Sequence, residues 1–142
     1  MPPTLATLCI AAAAGLVAAL GALHVSLTFA GGRLHPRDPA LRHAMDAVSP
    51  VLTRQTTLWR AWIGFNASHG LGAIAFGTAY LHLALARPEV LRTSMVLALL
   101  GAGYLAAMAA LARRYWFRTP FRGLALAGVL YAIGLVALHA QA

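Results

Sequence analysis

Lysine is absent from this chain, acids number only three, and Cys9 is the sole cysteine among 142 residues. Charged residues make up 10 %, against about 25 % in soluble domains, and so few polar side chains cannot cover a soluble globule. A lone cysteine excludes an intrachain disulfide framework. Asp38, Asp46 and Glu89 are the only acids, so no nucleophile–base–acid set can be assembled. There is also no glycine-rich phosphate loop and no dinucleotide fingerprint. Hydrolase and ATPase readings have little support, and no catalytic residue is assigned. A zinc site is not expected either, because Cys9 stands far from the histidines and no acid enters an uncharged run. Disorder is excluded by the 61 % of hydrophobic residues, the opposite of a disordered composition.

What remains is an integral membrane protein. Four segments lack Asp, Glu, Arg and Lys: Leu5–Ala30, Ala61–Ala86, Thr93–Ala112 and Gly123–Ala142. Each reaches the ~20 residues that a helix needs to cross a ~30 Å hydrocarbon layer. None alternates with a period of two, which argues against a β-barrel. The expected fold is all-α: a single domain over residues 1–142, built as an antiparallel four-helix transmembrane bundle.

The eleven basic residues are all arginine and give a net charge of +8. They sit in the gaps between apolar runs rather than on one soluble face, which argues against nucleic acid as a partner. They are expected to touch anionic lipid head groups. Arg33, Arg37, Arg42, Arg54 and Arg60 lie in the first connection and Arg113, Arg114, Arg118 and Arg122 in the third, against Arg87 and Arg92 in the second: nine against two. That bias assigns the first and third connections to the cytoplasm and both termini to the outside of a bacterial inner membrane. Trp59, Trp62, Tyr115 and Trp116 fit an aromatic belt on that side. The uncharged start, Met1-Pro2-Pro3-Thr4, and the long apolar run favour a retained span over a cleaved signal peptide.

Only the first connection is long. Asp38 followed by Pro39 is a helix-start signature. Leu41, Met45, Val48 and Leu52 then recur at helical spacing, with Arg42, His43 and Asp46 on other faces, and Ser49-Pro50 should break the run. A short amphipathic interfacial helix is expected between the first two long helices.

The most unusual stretch runs from Trp59 to Gly70. Its residues Trp59, Arg60, Trp62, Gly64, Phe65, Asn66, Ser68 and His69 form the pattern W-R-x-W-x-G-F-N-x-S-H. This resembles a motif of a family of small four-span bacterial membrane proteins of unknown function. The likeness extends along the chain, including the Pro-interrupted connection. It implies the four-span topology and adds no activity.

Gly64, Ser68 and Gly72 stand at i, i+4 and i+8, a stripe expected to pack against the first helix. Asn66 and His69 fall on another face with Ala73. Measured at ~1.5 Å per residue from the cytoplasmic ends, His24 lies about 9 Å deep, Asn66 and His69 about 8–12 Å, and Tyr104 and Tyr131 about 12 Å. These five residues are expected to form one polar layer, with His24, Asn66 and His69 as its centre. Ionisable groups inside a membrane default to a functional reading. The layer is read first as a site for a quinone- or lipid-type ligand, or as part of an accessory membrane subunit. A b-type haem held by His24 and His69 is an alternative, as is a small transporter or proton path. A polar network that only locks the helices together stays open, as does a homo- or hetero-oligomer. His82, His139 and Gln141 are expected at the outward interface, and His35 and His43 among head groups.

Overall fold

The computed structural model describes residues 4–140, so Gln141 and Ala142 lie outside the described residues. It is all-helical, with four helices long and apolar enough to cross a membrane. They are α1 (Leu5–Phe29), α3 (Leu58–Ala86), α5 (Met95–Tyr115) and α6 (Arg118–Ala140), with two short helices between them, α2 (Pro39–Ala47) and α4 (Pro88–Thr93). The four long helices fit a four-helix bundle, and the protein is a multi-pass membrane protein.

Charge ends a membrane span but not a helix. α3 therefore starts at Leu58, ahead of Arg60, and α5 runs on through Arg113 and Arg114. α6 begins at Arg118, five residues before Gly123, and carries Pro120 in its first turn, where a missing N–H costs nothing. α4 has no counterpart in the hydropathy pattern. Pro88 opens it, Leu91 is its buried residue, and Ser94, its C-cap, also accepts from the Leu97 N–H to cap α5.

The contacts fall into two compact units, Gly21–Gly72 and the pair Met1–Leu20 with Ala73–Ala142. In the latter, α1 and α6 are antiparallel: a Cβ on Gly134 would meet Ile10 and the Ala6 carbonyl, and one on Gly123 would meet Leu20. Gly77 is the notch against α1, where a Cβ would stand 2.6 Å from the Ala14 oxygen and 2.8 Å from the Ala18 Cβ. Ile10, Val17, Leu91 and Leu105 are its largest fully buried side chains. Between α5 and α6 an apolar groove of about 520 Å³ runs past Ala102, Leu105, Ala106, Gly128, Tyr131 and Ala132.

In the unit Gly21–Gly72, α1 stops at Gly31 (φ 85°) and Gly32 (φ 63°), conformations that cost a glycine nothing. Asp38 caps α2 by accepting from the Ala40 N–H at 2.8 Å. α2 ends at Ala47, and the Leu58 N–H donates to the Val48 carbonyl at 2.8 Å, which closes the second half of the connection. Gly70 is this unit's notch, with a Cβ placed 3.0 Å from the Gly21 oxygen.

Gly64, Ser68 and Gly72 do not form the packed stripe. All three are exposed, and a Cβ on Gly64 or Gly72 would meet nothing within 4 Å. The buried line on α3 is instead Gly70, Ala73, Gly77, Tyr80 and Ala84. Steps of three and four keep that line facing one way on a 3.6-residue helix, whereas repeated steps of four walk off it.

Candidate functional site

His24 lies on the last turns of α1, and Asn66 and His69 one turn apart on α3. The structure brings these three side chains together, each half-buried. His24 Nε2 stands 3.1 Å from Asn66 Oδ1. Asn66 Nδ2 donates to the Trp62 carbonyl at 2.8 Å. A carbonyl only accepts, so this second bond fixes which end of the amide faces His24. His24 must then donate from Nε2, and its neutral form keeps Nδ1 as an acceptor. The His69 ring meets the His24 ring edge to face, with centroids 5.0 Å apart and planes at 76°. The His24 carbonyl also receives the Thr28 hydroxyl at 2.7 Å. The result is a cluster of two imidazoles and one carboxamide with its tautomer set from within.

Axial haem ligation does not fit this pair. Two imidazoles on opposite faces of a porphyrin, with bonds of about 2 Å, put their centroids about 6 Å apart with the macrocycle between them. Here the rings touch directly, and His24 Nε2 is engaged by Asn66. Among the described residues no group of three or more His, Cys, Asp or Glu is placed to hold a metal ion.

Tyr104 and Tyr131, expected in the same layer, take part in a different cluster. Tyr104 stacks on Phe76 at 4.0 Å, Phe76 on Tyr80 at 4.4 Å, and Tyr80 meets Tyr131 edge to face at 5.9 Å. Tyr80 donates to the Leu97 carbonyl at 2.7 Å and Tyr131 to that of Ala98 at 3.2 Å. Depth along a helix does not say which way a side chain faces, and Tyr104 and Tyr131 turn to Phe76 and Tyr80. Tyr80 escaped the sequence reading. Its place on the spacing Gly70, Ala73, Gly77, Tyr80 was the available signal.

The other histidines separate. His82 and His43 are exposed, and His139 Nδ1 bonds the Leu135 carbonyl of its own helix at 2.9 Å. His35 instead meets Trp59 with ring centroids 4.7 Å apart and planes at 89°. Trp59 is only 8 % exposed, a stacking platform rather than a member of an open aromatic belt.

No protein-family profile, curated protein or solved structure matches the chain.

Proposed function

We propose that this multi-pass membrane protein binds the polar head of an amphipathic, quinone- or lipid-type ligand at His24, Asn66 and His69. One observation carries the reading: three hydrogen-bonding side chains from two helices converge, with the His24 tautomer set by Asn66. Interhelical hydrogen bonds in a membrane stabilise by only ~0.6 kcal/mol on average, while each polar group taken into hydrocarbon is costly. Packing alone is therefore a poor return for two imidazoles and a carboxamide. A head group bearing a hydroxyl or a carbonyl matches the acceptor and donor nitrogens that imidazoles offer.

The location proposed is a bacterial inner membrane, with the arginine-rich first and third connections in the cytoplasm facing anionic head groups and both termini outside. Membership of the four-span family with the W-R-x-W-x-G-F-N-x-S-H motif belongs to the same proposal, as does an accessory role beside a partner membrane protein.

The test is solvent extraction and mass spectrometry of protein purified in mild detergent, with an absorption spectrum. A single quinone or lipid species retained near one per chain, and lost in His69→Ala and Asn66→Leu, supports the reading. Retention of bulk lipid alone, identical in all three proteins, contradicts it, and a Soret band would restore the haem alternative. A ligand-free protein that still conducts protons in vesicles would favour the proton path.

A further inference from the structure

The first connection is attached to α3 through an arginine, not through the apolar side of α2. The guanidinium carbon of Arg42 lies 4.3 Å from the centre of the Trp59 ring, and the His35 ring meets the same indole with its plane at 89° to it. Trp62, three residues on, donates its indole N–H to the Leu34 carbonyl at 3.0 Å. Two tryptophans at the start of α3 thus hold both the segment before α2 and α2 itself. Meanwhile α2 has no buried residue. Leu41 and Val48 are half-exposed, and Val51 and Leu52, just past Ser49-Pro50, are almost wholly exposed.

Among the described residues, no carboxylate lies within salt-bridge distance of Arg42. The sole salt bridge among the described residues joins Arg87 and Glu89, and the Arg42 Nε is buried without a hydrogen-bond partner. A guanidinium held over an indole by a cation–π contact keeps its outer N–H groups as a planar fork that suits two oxygens of a phosphate or carboxylate. Arg33, Arg37, Arg54 and Arg60 raise the local positive potential and are all exposed. Further along the same connection, Val51 and Leu52 are almost wholly exposed. An anion carrying its own apolar tails satisfies both features at once.

We infer that Arg42, positioned by Trp59 and flanked by His35, is a specific site for the phosphate of an anionic phospholipid whose chains cover Val51 and Leu52. The inference deepens the head-group reading above, from general attraction to one built site, and rests on the first connection lying at a membrane surface. It does not depend on the histidine cluster.

The experiment is native mass spectrometry of the full chain in detergent, titrated with short-chain phosphatidylglycerol, phosphatidylcholine of the same chain length, or inorganic phosphate. The expected result is one phosphatidylglycerol bound about tenfold more tightly than phosphatidylcholine, the scale of one charge-assisted interaction. Inorganic phosphate should not displace it. Arg42→Gln should lose that preference, Arg42→Lys should lose a large part of it by replacing the fork with a point charge, and Arg37→Gln should keep it. Circular dichroism checks that each variant folds, and Arg42→Lys carries the test if Arg42→Gln does not. Equal losses in Arg42→Gln and Arg37→Gln would overturn the site while leaving diffuse attraction to anionic lipid intact. Displacement by inorganic phosphate would overturn the lipid as its ligand.

Discussion

His24 Nε2 and Asn66 Oδ1 meet at 3.1 Å across 42 positions of chain, and the second amide bond of Asn66, to the Trp62 carbonyl, decides which of them donates. If that bond is real, removing both partners should cost less than the sum of removing each. A double-mutant cycle of His24→Ala and Asn66→Ala, read by reversible unfolding in mixed micelles, should give a coupling of about 0.6 kcal/mol and not above ~1.7 kcal/mol. Additive effects would mean that the two side chains do not interact.

The packed face of α3 predicts a sharp contrast among its glycines. Gly77→Ala places a methyl 2.6 Å from the Ala14 oxygen, and Gly70→Ala places one 3.0 Å from the Gly21 oxygen. Backbone atoms cannot step aside, so each should cost about 1–3 kcal/mol or prevent folding. Gly64→Ala and Gly72→Ala point into open space. They should be neutral or stabilise by about 0.5–1 kcal/mol, the usual gain of Ala over Gly inside a helix. Thermal melts of the four variants in one detergent decide it.

Gly101 makes a similar case inside the tyrosine cluster. A Cβ there would overlap the Tyr131 hydroxyl and stand 2.7 Å from Tyr80 Cε1. Gly101→Ala should destabilise by about 1–3 kcal/mol, and adding Tyr131→Phe should recover part of the loss because the overlapping oxygen is gone. Gly103→Ala, with nothing within 4 Å, is the control. No recovery in the double variant would place the strain elsewhere.

These contrasts show which parts of the molecule its residues announce. Uncharged runs reveal that four long helices exist, and Asp38-Pro39 and Ser49-Pro50 bracket α2, because caps and prolines act locally. The packed side of α3 is harder to choose. Gly64, Ser68 and Gly72 offer small side chains on one face and Gly70, Ala73 and Gly77 on another, so residue size alone cannot decide. Asn66 and His69 are the better guide, since polar groups in hydrocarbon turn toward the face that carries partners. The single polar layer failed on direction: depth along a helix does not say which way a side chain faces, and Tyr104 and Tyr131 turn to Phe76 and Tyr80. Arg42 on Trp59 was illegible in another way. α2 was expected as an amphipathic interfacial helix with its arginine among the wet, basic residues, and it is that arginine, some 100° round the helix from Leu41, that makes the contact with α3.

The nine-to-two arginine distribution makes a prediction about orientation. A reporter joined after Ala142 should be active outside the cytoplasm, and one inserted near Arg118 active inside it. The reverse pattern would turn the protein over and place Arg42 and the histidine cluster toward the other leaflet.

The claim on which the account turns is that His24, Asn66 and His69 take a ligand. The most direct measurement is an equilibrium titration of the purified full chain with a short-chain benzoquinone, following quenching of tryptophan fluorescence, in wild type and in Asn66→Leu and His69→Ala. Quenching by diffusive collision is subtracted with free tryptophan in the same micelles. The account predicts saturable binding near one per chain in wild type. It also predicts a loss of about tenfold or more in each variant, the scale of an unpaired buried polar group, while both variants keep the wild-type helical content. Binding that does not saturate, or that is equal in all three proteins, together with no lipid species lost on extraction from the variants, would contradict it and leave the cluster as an element of helix packing.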